Sequence, residues 1–337
     1  MKGVIIFTQK QTPGHVDIVT AGKNNFYHQL LHTMIITITL NPAIDKSTLI
    51  TKLEPEAKLR SAEVKNEPGG GGINVSKALK KLGTESVALF AAGGHNGDML
   101  RSLLKEEAIN FKAADTKVET RENWIVLETE SNKQYRFTFP GRQVEVAAVQ
   151  DMLEDLQSLT PSIVVASGSL PPGLPPNFYG LIAKYANQAG AKCIADTSGE
   201  ALKALQGKGA YLIKPNITEL CKLLDIEKLE KDEVDDAALQ VIQNGYAEIV
   251  VVSMGGDGAW IVSADEKHFA QAPVVEKKST VGAGDSMVAG ITFMLQKGMP
   301  LKQVIRFGVC CGSAATMNAG TELFKVEDVW RLYKEMN

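Results

Sequence analysis

The chain has 337 residues with 36 lysines and arginines against 39 acids, a formal net charge of -3. That length holds one large α/β domain, or two small ones, around a core that needs no covalent staples. The near-neutral balance gives no global attraction for nucleic acid or an anionic membrane, so any anionic ligand has to be held locally.

Residues 1–33 show no clear periodicity and read as an extension, either loosely attached or a start misplaced upstream of Met34. Met34 opens "MIITITLNP", a β-branched run that predicts the first strand of the domain. From there short apolar runs ("MIITITL", "SVALFAA", "SIVVAS", "AKCIAD", "AYLIK", "EIVVVS") alternate with helix-like stretches at 73–82, 97–107, 177–188 and 235–244. Continuous apolar strands with helical crossovers predict a mostly parallel sheet covered on both faces, with ligands bound beyond the carboxyl ends of its strands. Two regions break the alternation. Residues 43–66 and 121–139 carry polar alternation, with a turn at Ser131 and Asn132, and predict hairpins in a small second sheet suited to a lid or a dimer surface.

Four stretches carry chemistry, again in chain order. "EPGGGGINVSKAL" runs four glycines into a helix; each glycine costs conformational entropy on folding, so the expectation is that something other than packing approaches that backbone. Asn74 at the helix start is suited to sugar hydroxyls, or else simply caps a long turn. "LIKPNITEL" ends a strand and starts a helix carrying Asn216 and Glu219, a spacing that reads either as magnesium-bound water held near phosphates or as a cap with a solvated acid. "SMGGDGAW" ends another strand in glycines and suits nucleotide contact, or an ordinary hairpin turn.

The fourth, "KKSTVGAGDSMVAG", leads through glycines into a helix over about 285–295. The first amides of a helix lack internal acceptors and carry the positive end of its dipole, so bare backbone there lets an anion approach. Asp285 at the same spot is placed to take a proton from an attacking hydroxyl while the amides of Ala283, Gly284 and Asp285 stabilise a transferring phosphoryl group; alone, the motif also fits an N-capping aspartate. Familiar nucleotide signatures are missing: "GSLPPG" is followed by Leu174 and Pro175 rather than Lys and Ser or Thr, and no G-x-G-x-x-G follows a strand. Four cysteines (Cys193, Cys221, Cys310, Cys311) form no C-x-x-C pair and read as core thiols in a reducing compartment. The histidines are scattered, which argues against a histidine metal site, and no apolar run reaches membrane-span length; the expectation is a soluble, cytoplasmic protein.

Together, "GGGGIN", "SGSLPPG", "KPNITEL" and "STVGAGDSMVAG" resemble the PfkB carbohydrate kinases in order and spacing, from Met34 to the C-terminus. The resemblance implies a ribokinase-like three-layer α/β/α sandwich over 34–337 with a mostly parallel sheet and a small β lid. "NPAID", "EAKLR", "EPGGGGINV", "QYRFTFPG", "DTSGEAL" and "FGVCCGSAAT" draw it towards the family's bacterial 6-phosphofructokinases. Kinases of fructose 1-phosphate and tagatose 6-phosphate usually carry lysine where Gly71 stands here, so the resemblance favours fructose 6-phosphate, with those two sugars as alternatives and a non-catalytic sugar-phosphate sensor as a rival of another class.

Carried over by motif, the resemblance makes Asp285 the base and Gly282, Ala283 and Gly284 the anion hole. Asp45 and Asn74 would hold sugar hydroxyls, Gly70, Gly71, Gly72 and Ile73 would line the pocket, Ser169 would lie near the sugar phosphate, and Lys58 and Arg121 would grip it. Lys214, Asn216, Ser253, Gly255 and Gly258 would meet ATP, and Glu219 magnesium through a water. Ser279, Val281, Ala315, Asn318 and Gly320 match a potassium site of relatives. A homodimer pairing through the lid is also implied.

Overall fold

The computed structural model describes residues 34–318 and 322–336; the extension read at 1–33 and the potassium-site candidate Gly320 lie outside the described residues. Among the described residues nine strands form the main sheet, in the order β13-β12-β11-β10-β9-β8-β1-β4-β5. These are β1 Ile35–Thr39, β4 Ser86–Ala92, β5 Asn110–Asp115, β8 Ile163–Ser167, β9 Lys192–Asp196, β10 Ala210–Ile213, β11 Ala247–Ser253, β12 Ala259–Val262 and β13 Lys267–Ala270. The run from β11 across to β5 is parallel, and β12 and β13 add an antiparallel edge.

Strand periodicity divides the core into two layers. Along β1, Ile36 and Ile38 join one apolar cluster and Ile35 the other; along β11, Val250 and Val252 part from Ile249 and Val251 in the same way. One layer packs under helices Gln150–Leu159, Phe178–Gln188, Ile217–Leu224 and Val234–Gln243. The other packs under Gly71–Lys81, Ala283–Gln296, Leu301–Thr316 and Val326–Glu335. All four cysteines are buried and free, as their apolar surroundings predicted.

A second sheet of four strands among the described residues, β3-β2-β6-β7, lies in the segments expected to form the lid and is termed the lid: β2 Ala43–Ile50, β3 Lys65–Gly69, β6 Arg121–Glu128 and β7 Lys133–Thr138. Here the hairpin expectation needs refinement. β6 and β7 do form a hairpin, but β2 and β3 are separated by the irregular stretch 51–64, and β2 joins β6 in parallel register. Two distant segments therefore build one mixed sheet, a pairing that local alternation cannot specify. Ile44 of β2 anchors the lid by packing with Ile73, Phe90 and Leu100 of the main domain.

The chain direction of the crossovers reverses between β1 and β8, whose neighbours are β4 on one side and β9 on the other. In such sheets the crevice at that reversal, beyond the strand carboxyl ends, is the place for a ligand.

Candidate active site

Five adjacent strand ends lay out the site. Reading along the sheet, β11 ends at Ser253, β10 leads to Lys214, β9 ends at Asp196, β8 leads to Ser169 and β1 to Asn41. Two helices enter above them. Gly71–Lys81 begins against β1 and β8: a Cβ on Gly71 would lie 2.2 Å from the Ser167 hydroxyl oxygen, and one on Gly72 2.5 Å from the Ile38 carbonyl oxygen. Gly70 sits at φ 124°, with its Cβ position 2.6 Å from Thr39, and a Cβ on Gly69 would meet the Asp45 carboxylate at 2.3 Å. Packing alone thus requires this glycine run, which corrects the expectation that packing could not explain it.

The second helix, Ala283–Gln296, starts two residues before the expected Asp285. Gly282 is its N-cap at φ 72°, and no side chain caps it. Among the described residues the amides of Gly284 and Asp285 have no acceptor, that of Ala283 lies 3.5 Å from the Thr280 carbonyl oxygen, and a Cβ on Gly284 would meet only the Lys214 ammonium, at 3.6 Å. Lys214 is buried and held by Asp196, Nζ to Oδ1 3.1 Å. Burial alone would lower its pKa, but Asp196 and Asp285 outweigh that and keep it charged. A phosphate-sized anion at this helix mouth meets amide dipoles and one fixed ammonium.

Asp285, in the first turn, accepts a hydrogen bond from the Asn74 side-chain amide at 2.8 Å. This contact joins the two glycine-entry helices. Desolvation pushes the Asp285 carboxyl up to about 6; the nearby Asp196 and Asp45 carboxylates add to the rise, and Asn74 and Lys214 oppose it. A carboxylate so placed is ionised at neutral pH yet basic enough to accept a proton.

On the lid side, Asp45 is buried and accepts from Asn123, its cross-strand partner, at 2.8 Å. Burial raises its pKa against the lowering by Asn123 and Arg121. Arg121 reaches the Asn41 carbonyl (3.2 Å) and the Asn123 side chain (3.0 Å), and Asn41 donates to the Ser169 hydroxyl at 3.0 Å. Ser169, Asn41, Arg121, Asn123 and Asp45 therefore form one continuous polar chain. Lys58 is exposed in the stretch 51–64, and no hydrogen bond or ion pair joins it to this chain.

On the other side a cleft of about 440 Å³ opens towards the helix mouth. Its walls include Ser253, Gly255, Gly258, Pro273, Val274, Met287 and Val309, and it ends at Ala283 and Gly284. The apolar walls suit a flat ring, and the polar end suits phosphates. Asn216 and Glu219 form a complete capping box: each side chain accepts from the other's backbone amide at 2.9 Å. The bland reading of that spacing is thus realised. The hairpin reading of "SMGGDGAW" is realised as well, since β11 and β12 pair antiparallel across it. At Gly258, φ is 115° and a Cβ would strike the Ala270 carbonyl at 2.1 Å, so packing accounts for this glycine.

Comparison with known proteins decides the family. The model of the pfkB family carbohydrate kinases matches residues 32–327. The chain belongs to that family. It is 40% identical over 301 residues to the ATP-dependent 6-phosphofructokinase isozyme 2 of Escherichia coli K12, covering 89% of this chain and 97% of that protein. It is 36% identical over 297 residues to the 1-phosphofructokinase of Bacillus subtilis, covering 86% and 96%. The crystal structure of E. coli phosphofructokinase-2 in complex with potassium superposes with a TM-score of 0.86 at 40% identity, covering 90% of this chain and 99% of that one. The ribokinase-like fold expected from the motifs is the fold observed.

Within this kinase, the structure gathers Asp285, Asn74, Lys214 and Gly284 around one point, and Asp45, Arg121 and Ser169 along one chain. The sequence reading passed over Asp196, Asn123 and Asn41 as site residues. The signal for Asp196 was present: an acid closing the apolar strand "AKCIAD" at its carboxyl end. Asn123 gave none, because its role exists only once β2 and β6 pair. The potassium-site candidates Ser279, Val281, Ala315 and Asn318 converge at the end of helix Leu301–Thr316, where the Thr316 carbonyl accepts from Ser279 and Asn318 bonds back to Ala315.

Proposed function

We propose that this kinase transfers the γ-phosphoryl group of ATP to O1 of fructose 6-phosphate, giving fructose 1,6-bisphosphate and ADP. The observation that carries the proposal is the helix mouth at Gly282–Gly284, where open amides and Lys214 meet Asp285 between the nucleotide-shaped cleft and the polar chain of the lid.

In this reading ATP lies in the cleft beside Ser253 and Gly255, with Asn216 at its margin and its terminal phosphate on the amides of Ala283 and Gly284. Asp45 and Asn74 orient the sugar, Ile73 and the glycine run close the pocket behind it, and Arg121, Ser169 and Lys58 take its phosphate. Asp285 removes the O1 proton as the oxygen–phosphorus bond forms and the bond to the leaving ADP oxygen breaks. Lys214 and the amides meet the charge that develops on the migrating group. Magnesium, bound with the nucleotide, would offset phosphate charge. Glu219 fits a role through water, since the capping box engages one of its carboxylate oxygens and the other has no hydrogen-bond partner among the described residues. The lid excludes water, which limits ATP hydrolysis.

Potassium belongs to this proposal. The potassium complex of the E. coli relative supports it, as does the meeting of residues 279–281 with the carbonyl end of a helix. The proposal also includes a cytoplasmic homodimer joined through the lid, supported by the exposed Leu49, Phe137 and Phe139 on lid segments and by four unpaired cysteines. Fructose 6-phosphate is favoured by the higher identity to the 6-phosphofructokinase and by Gly71, whose contact with Ser167 leaves no room for a side chain without a shift.

The test is ADP release measured with fructose 6-phosphate, tagatose 6-phosphate and fructose 1-phosphate side by side. The expected result is the highest kcat/KM for fructose 6-phosphate. A preference for another sugar reassigns the substrate, and no turnover with any of them favours a sensor.

A further inference from the structure

Arg136 lies on β7, the strand at the edge of the lid, yet its guanidinium reaches across to the main domain. Its Nη2 donates to the Thr280 hydroxyl at 2.9 Å. Thr280 lines the 440 Å³ cleft and stands two residues before Gly282, the N-cap of the anion-hole helix. Nε and Nη2 also donate to Gln134 of the same strand, at 3.1 and 3.0 Å, which fixes the plane of the guanidinium. Nη1 has no partner among the described residues, and no carboxylate among them pairs with Arg136. An arginine steered by two neutral acceptors to the edge of an anion site, with two N–H groups free and no counter-ion, is arranged to receive an anion. Arg121 on the neighbouring strand has a different address: its Nε and Nη1 donate to Asn41, Asn123 and Phe139 in the polar chain of the lid, and none of its bonds reaches the helix mouth.

We propose that Arg136 binds the phosphoryl group during its transfer, opposite Lys214, so that the lid supplies part of the anion hole. Lys214 approaches the helix mouth from the floor of the site at Gly284, and Arg136 approaches from the roof at Thr280. Charge on the migrating group is then neutralised fully only when the lid is seated. Seating the lid is in turn favoured by a sugar beneath it, so phosphoryl transfer is coupled to sugar occupancy. This inference rests on the phosphotransfer reading above, though not on which sugar accepts the group.

Arg136→Gln tests it, with Arg136→Lys as the conservative partner. The expected result is a kcat loss of about 10²–10³-fold in Arg136→Gln, part of it recovered in Arg136→Lys, with the sugar-phosphate KM and melting temperature close to those of the wild type. A second measurement needs no choice of sugar: retention of ADP with aluminium fluoride, a mimic of the group in flight. Wild type retains the complex and Arg136→Gln loses it, while both bind ADP alone equally. Unchanged kcat and retention in Arg136→Gln, or a loss confined to the sugar-phosphate KM, overturns the proposal. A wild type inert towards all three sugars would instead undo the assigned acceptor, and the fluoride complex would still read Arg136.

Discussion

Two helices in this kinase begin alike and serve different ends. Gly71–Lys81 and Ala283–Gln296 both start at a glycine with positive φ, and neither has a capping side chain. Above the first, protein atoms fill the space: the Asp45 carboxylate, Thr39, Ser167 and the Ile38 carbonyl stand where a Cβ would go. Above Gly284 only the Lys214 ammonium stands near, at ordinary contact distance. Glycine at a helix entrance is therefore an invitation to close approach: the protein itself approaches in one case, and in the other the space is left open for the migrating group of the proposed reaction. The Asn74–Asp285 hydrogen bond ties the two together, so the packed entrance holds the open one in place.

Substitutions break this comparison in graded ways. The largest effect is expected at the open entrance: Asp285→Asn lowers kcat by about 10³-fold or more with KM little changed, since removal of a base acts on the transition state. The same substitution raises the melting temperature. The folded-state pKa of about 6 lies above the ordinary carboxylate value, so stability is fully present at low pH and falls as pH rises through 6. A neutral Asn avoids that penalty, by about 1–2 kcal/mol after allowance for the side of the carboxylate open to the cleft. In the wild type, kcat falls about tenfold per pH unit below about 6 and is level above it, as a pH–rate profile would record.

Next in size is a pair of alanines that separates the entrances. Gly71→Ala costs about 1–3 kcal/mol by overpacking against Ser167 and Gly168, visible as a lower denaturation midpoint. Gly284→Ala leaves stability equal or slightly higher, since alanine favours the helix, yet lowers kcat because its methyl group occupies the anion's place. Equal stability losses in the two would erase the distinction. A smaller effect is expected from Arg121→Ala, which raises the sugar-phosphate KM about 10–100-fold, the worth of a charge-assisted contact. The smallest is Lys58→Ala, a rise of a few-fold, because its exposed side chain meets the phosphate without support from neighbours.

Much of this was legible along the chain. Continuous apolar runs marked six of the main-sheet strands, and "GAGD" before an apolar helix marked the uncapped helix start proposed as the anion site, because both signals are local: strand burial on two faces and amides left open at a helix start. The same locality misled at Gly69–Gly72, since nothing in four successive glycines says which atoms lie above them. It offered Arg136 only as one of the cations of the lid segments, without its partner, and was silent on Asn123, because the partners of both are in strands or loops far along the chain.

The amino-acid sequence by itself determined the alternation of strands and helices, the layering of the core, and the presence of an acid at an uncapped helix mouth, because each depends on neighbours within a turn or a strand. Only the tertiary structure decided that β2 pairs with β6, that Asp196 holds Lys214 beside Gly284, and that Arg136 reaches Thr280. Those contacts join residues distant in the chain, and their energies exist only after the intervening segments have been ordered and packed.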